Sequence, residues 1–132
     1  LSSESDYGSP YKERLTWYKD LEEAFTVSKT TGQPLFVDFT GYTCTNCRWM
    51  EVNVFIEPEV KERFKKMTLV QLYTDAGPKH KENQLYEIDR FGTAALPFYV
   101  ILTPEDEIIS TFPGMTRKLD DFIDFLDSGL EG

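Results

Sequence analysis

Leu35-Phe36-Val37-Asp38-Phe39-Thr40 is a run of six residues, apolar except for one carboxylate and a closing hydroxyl, held between Pro34 and Gly41. It is too short for a helix with a buried face and is punctuated at both ends, so it reads as a central strand covered on both sides. Beyond Gly41 the apolar spacing changes to helical period, with Cys47, Met50 and Val54 on one stripe. A doubly covered strand that passes straight into a helix restricts the chain to an α/β sheet with helices over both faces.

The rest of the chain fits that restriction. Residues 1–13, with four Ser, Gly8 and Pro10, read as a flexible lead-in or linker, and residues 14–132 as one domain. Asp20 with Glu23 resembles a capping box for a helix running to about Thr30, ended by Gly32 and Pro34. Glu57-Pro58 interrupts the helix that follows Gly41, so a bent or broken helix is expected, its second part carrying Val60 and Phe64. Met67 to Tyr73 alternates as a second strand, and Asp75 to Pro78 turns. Leu85, Ile88 and Phe91 mark a helix that stops at Gly92. Phe98 to Leu102 and Ile108 to Phe112 form a hairpin. Leu119, Phe122, Ile123 and Leu126 then make a closing amphipathic helix with Gly129 just past its end. The sum is one mixed sheet, helices on both faces, and an antiparallel hairpin towards the C-terminus.

Composition narrows the function. With 14 Lys+Arg against 23 Asp+Glu the net charge is −9, which repels nucleic acid. No apolar run reaches the roughly eighteen residues that span a bilayer. The first residue is Leu1, as expected of a processed or excised piece.

Cys44 and Cys47 are the two cysteines, separated by Thr45 and Asn46. Cys44 follows the carboxyl end of the first strand and opens the next helix, the edge at which α/β sheets carry their chemistry. Free backbone N–H groups and the helix dipole there favour thiolate over thiol, making Cys44 the candidate nucleophile. Cys47, one turn inward, is the candidate resolving thiol. A zinc half-site, an inert local disulfide and a pair of merely packed thiols compete with this reading. Zinc is short of ligands, since the chain adds only His80, some thirty residues away, and no metal is expected.

Asp38 amid Leu35, Phe36, Val37 and Phe39 would be desolvated and its pKa raised, unless the strand lies at an edge and the carboxylate meets solvent. Glu51 lies four residues after Cys47 and shares its helix face, where it could raise the thiol's pKa or relay its proton, or simply stand exposed. At Pro97 the frequency of X-Pro isomers favours trans. His80 reads as a solvated loop residue. Tyr42 and Trp49 flank the thiols as core or as rim.

Taken together these residues resemble the thioredoxin superfamily over about Leu15 to Leu130. The resemblance rests on Phe36-Val37-Asp38-Phe39, the six-residue step from Asp38 to Cys44, the Cys-x-x-Cys, Leu96-Pro97 before an apolar strand, and the final hairpin and helix. Within the superfamily the chain looks most like the C-terminal domain of the bacterial transmembrane thiol:disulfide interchange family DsbD, whose paired acids match Asp38 and Glu51. Thr43, Thr45-Asn46 and Leu96 depart from the residues usual at those positions, which bears on substrate choice and redox potential.

The resemblance implies a thioredoxin-like three-layer α/β/α fold and a cis Pro97 against the active-site disulfide. It also implies thiol:disulfide exchange without a cofactor, with Cys44 attacking, Cys47 resolving, and Asp38 and Glu51 handling protons. Tyr42, Thr43, Thr45, Asn46 and Leu96 are expected to form the surface that meets partners. The expected role is an extracytoplasmic, periplasmic reductase, monomeric as a domain and tethered to the inner membrane in the full-length protein. It would pass electrons from a membrane-embedded dithiol of the same chain to exported protein thiols. A stand-alone extracytoplasmic reductase or isomerase, and a non-catalytic partner-binding domain with an inert Cys pair, are the alternatives.

Overall fold

The computed structural model of the chain describes residues 15–131; the expected lead-in over residues 1–13 lies outside them. Five strands form one mixed sheet: β1 (Trp17–Tyr18), β2 (Leu35–Thr40), β3 (Thr68–Tyr73), β4 (Phe98–Leu102) and β5 (Ile108–Pro113), in the order β1-β3-β2-β4-β5. The strands β1, β3 and β2 run parallel, while β4 is antiparallel to β2 and β5 to β4. All six residues of β2 are buried, as its apolar run requires of a strand with neighbours on both sides. The two-residue β1, which no pattern in the sequence announces, extends the sheet beyond β3 by pairing Trp17 with Leu69 and Tyr18 with Val70.

Alternation along β2 divides the core in two. Phe36 points into a layer with Met50, Phe55, Phe64, Tyr99 and Phe122, while Leu35, Val37 and Phe39 pack with Ala24, Val70, Leu72 and Val100 on the other side. Helices cover both layers, giving the three-layer α/β/α architecture expected from the sequence. Helix α1 (Leu21–Thr31) begins where Asp20 accepts from the Glu23 N–H at 3.0 Å and ends at Gly32, whose φ of 78° is the left-handed turn a glycine adopts without strain. The expected broken helix is two helices, α2 (Thr45–Asn53) and α3 (Pro58–Phe64), with Pro58 starting the second.

Helices α4 (His80–Phe91) and α5 (Leu119–Leu130) correct three readings. Phe91 packs inward as expected, but Leu85 and Ile88 are 58% and 40% exposed and Glu87 is fully buried. The 3/4 spacing fits two adjacent faces of this helix. The one that turns inward carries Asn83, bonded to the Tyr73 carbonyl at 2.9 Å, together with Tyr86, Glu87 and Phe91. His80 is no loop residue: it opens α4, half-buried, with Nδ1 2.8 Å from the Gly77 carbonyl oxygen. Gly129 lies inside α5 rather than beyond it. A Cβ there would stand 2.6 Å from Ile101 Cδ1, so the glycine lets the helix press onto β4 instead of ending it.

Candidate active site

Three loops meet at one edge of the sheet: those after the parallel strands β2 and β3, and the one that leads into the antiparallel β4. The first holds Tyr42 and Thr43, and Cys44 closes it as the N-cap of α2, with extended backbone at φ −81° and ψ 107°. The Cys44 sulfur accepts from the Cys47 N–H at 3.2 Å, so it occupies the place a capping hydroxyl usually fills. An amide donor and the positive helix end therefore act on that sulfur, and both favour a negative charge there.

Cys44 and Cys47 form a disulfide with their Cα atoms 5.2 Å apart. Depth separates the two sulfurs: Cys44 is half-buried beside exposed Tyr42, Thr43, Thr45 and Asn46, whereas Cys47 is 2% exposed. The four residues expected at the surface that flank Cys44 in sequence are exposed, and half-buried Leu96 lies against Gly41. A Cβ on Gly41 would meet Asp75 Oδ2 at 2.9 Å and Leu96 Cδ1 at 3.1 Å, so a side chain there would have to displace both where the three loops close on one another. The Leu96–Pro97 bond is cis, against the isomer frequency and in accord with the family resemblance.

Asp38 is 2% exposed on β2, beside Gln71 of β3 and Tyr99 of β4 in the sheet register. Its carboxyl is pushed up to about 7, chiefly by burial. The Gln71 hydrogen bond opposes the shift, the Glu51 charge adds to it, and the charges of Arg48 and Lys19 oppose it. The central position of β2 removes the edge-strand alternative for this residue. Glu51 does not stand free. Its Oε2 accepts from Arg48 at 2.8 Å, and the same guanidinium nitrogen donates to Thr40 Oγ1 at 3.0 Å. A cation at the second turn of α2 thus ties Glu51 to the end of β2, on the sheet face that carries Asp38. Trp49 packs against the core layer that contains Phe36 while the Arg117 guanidinium lies 5.0 Å from its ring centre; Tyr42 stacks on Tyr73 at 4.0 Å between ring centres.

Sequence reasoning missed Asp75, Arg48, Gln71 and Lys19. Asp75 accepts from the Tyr42 N–H at 3.0 Å and the Thr43 N–H and hydroxyl, each at 3.2 Å, and these bonds hold its carboxyl below the usual range. A signal existed: Asp75 lies just past the carboxyl end of the strand parallel to β2, hence at the same sheet edge as Cys44. Gln71 and Lys19 gave no such sign, because their place depends on strand register and on the short β1. Among the described residues no group of three or more His, Cys, Asp or Glu side chains could hold a metal ion.

A three-layer α/β/α fold whose central strand leads into a helix-capping Cys-x-x-Cys disulfide, with a cis proline just before the neighbouring strand β4, defines a thioredoxin-fold protein with a redox-active pair, the arrangement of thiol:disulfide exchange chemistry. A family model described as thioredoxin-like matches residues 16–104, and the chain belongs to that family. No curated protein matches it. Among solved structures it is similar to the oxidised C-terminal domain of DsbD from Neisseria meningitidis, at 19% identity over 86% of this chain and 99% of that one, with a TM-score of 0.69. A DsbH oxidoreductase is 20% identical over 89% of this chain and 85% of its own, also with a TM-score of 0.69. A Thermus thermophilus thioredoxin is 22% identical over 86% and 85% respectively, again at 0.69. At these identities the likeness concerns the fold.

Proposed function

We propose that the domain is an extracytoplasmic protein-disulfide reductase that receives electrons from a membrane-embedded dithiol and passes them to exported proteins. The observation that carries the reading is the asymmetry of the pair: an outer sulfur capping a helix and an inner one buried directly beneath it. In the reduced form the Cys44 thiolate attacks a sulfur of the partner disulfide, forming a mixed disulfide and releasing the partner's other sulfur as thiolate. Cys47 loses its proton and attacks Cys44, the intermolecular bond breaks, and the partner leaves as a dithiol. Two electrons have then moved to the partner and the Cys44–Cys47 disulfide of this structure remains. A dithiol donor reverses the sequence to reload the pair.

Asp38 is the proposed acceptor of the Cys47 proton. A buried carboxyl held near 7 both takes up and releases a proton close to neutrality. Glu51 modulates it through the charge that raises its pKa, and Arg48 restrains Glu51. Tyr42, Thr43, Thr45, Asn46 and the Leu96-Pro97 segment form the surface offered to the partner. The requirement for a reductant and a protein disulfide follows from the electron balance. The membrane donor and the exported partner follow from the resemblance of Asp38, Glu51 and the Cys-x-x-Cys to the DsbD pattern.

Titration against a glutathione or dithiothreitol redox buffer tests the chemistry. A reversible two-electron transition is expected, with Cys44 alkylated faster than Cys47 after reduction. C47S should accumulate a mixed disulfide with a disulfide-bonded partner and C44S should not. A pair that never oxidises, or that no physiological reductant opens, identifies an inert partner-binding domain instead.

A further inference from the structure

Lys19, directly after β1, reaches across the sheet. Its Nζ donates to Gln71 Oε1 at 3.2 Å, and Gln71 Nε2 donates to Asp38 Oδ2 at 3.4 Å. The orientation of this amide follows from valence: an ammonium has donors only, so the atom facing Lys19 must be the oxygen, and the NH2 group is thereby turned towards Asp38. The consequence for Asp38 is one-sided. Ionised, its Oδ2 has a donor and Oδ1 is buried without a hydrogen-bond partner; protonated, it gains no acceptor from Gln71, whose oxygen is turned to Lys19.

We propose that Lys19 is a positioning residue for the redox site, acting through Gln71: it locks the amide with its nitrogen towards Asp38 and so keeps this buried acid ionisable. The inference rests on the proton-acceptor role given to Asp38 above. Without the ammonium the amide is free to turn over, its oxygen faces the carboxyl, and the protonated acid gains an acceptor. Proton affinity then rises. The other ionisable groups around Asp38 are Glu51 and Arg48 from α2, Tyr73 from β3 and Tyr99, its register partner on β4. None of these touches the Gln71 amide through a hydrogen bond found in the structure, whereas Lys19 does. Lys19 also lies 5.1 Å from the Tyr73 ring centre, which fixes the course of its side chain along β3.

The test uses the disulfide form, in which the cysteines do not titrate. Carbon-13 NMR of the Asp38 carboxyl, its resonance identified by loss in D38N, is followed against pH in the wild type, K19M, K19R, Q71L and K19M/Q71L. K19M should move the Asp38 midpoint upward by about half a pH unit, roughly threefold in proton affinity. K19R, which still offers donors to Oε1, should restore it. In the Q71L background the K19M substitution should produce a much smaller shift, because the amide through which Lys19 acts is gone. An unmoved midpoint in K19M overturns the proposal. So does an equal shift with and without Gln71, since Lys19 would then act by its field alone. The role of Asp38 is read separately, from the pH profile of thiol alkylation in the reduced wild type and D38N. If D38N leaves that profile unchanged, the proton-acceptor reading fails while the NMR result still decides the influence of Lys19 on Asp38.

Discussion

Glu87 offers the sharpest quantitative test of the structure. It is fully buried on the inward face of α4, neither carboxylate oxygen has a hydrogen-bond partner, and burial pushes its pKa from 4.5 to about 8. Between those values the folded chain holds a proton that the unfolded chain has released. Stability therefore falls as pH rises, with the full contribution present below about 4.5 and lost by about 8. At 1.36 kcal/mol per unit the displacement reaches about 3 kcal/mol at neutral pH. The helix is an outer layer with solvent close by, which reduces this to about 2 kcal/mol. Glu87→Gln keeps the shape and cannot ionise, so its unfolding free energy relative to wild type should climb by about 2 kcal/mol from pH 5 to pH 8. Urea denaturation of the disulfide form at several pH values measures this. Asp38, also raised by burial, adds a slope of the same sign, but it is present in both proteins and cancels in the difference. A difference that stays flat across the range would falsify the placement of Glu87 in a buried position without a hydrogen-bond partner.

Other consequences are read with similar means. Gly129→Ala places a Cβ 2.6 Å from Ile101 Cδ1 and should cost about 1–3 kcal/mol by urea unfolding; an unchanged midpoint refutes the tight contact between α5 and β4. Arg48→Met removes a cation that opposes the rise of the Asp38 pKa, so its carboxyl midpoint should move further up, and a downward shift contradicts the geometry. Asp75→Ala deletes the acceptor for the Tyr42 and Thr43 amides, whose hydrogen exchange should quicken by about tenfold, the equivalent of one net hydrogen bond. Asp38→Asn in the reduced protein should shift the pH profile of thiol alkylation, with the effect centred near pH 7.

What could be read in advance was local. The strand Leu35–Thr40, the break at Pro58, the cap at Asp20 and the position of Cys44 at a helix start all depend on residues within a turn of one another, and the structure has each of them. The misses are tertiary. Which face of α4 turns inward is decided by what β3 offers it, so Asn83 and Glu87 displaced Leu85 and Ile88. Gly129 punctuates a helix in one dimension and relieves a collision with Ile101 in three. In the site, Cys44, Cys47 and Asp38 announced themselves by spacing and by a charge in an apolar run. Gln71 and Lys19 became visible only once the register of Asp38 against Gln71 was known.

The absence of room at Gly41 has a consequence beyond its own backbone. Asp75 from one loop and Leu96 from another close on that single point, and the Asp75 bonds run on to Tyr42 and Thr43. Segments so interlocked are coupled: a side chain at Gly41 would press on both Asp75 and Leu96 and, through the Asp75 bonds, on the Tyr42 and Thr43 amides. On the function proposed above, partner preference at this edge is therefore expected to change by exchange of several residues together, while the sulfur chemistry beneath is left as it was.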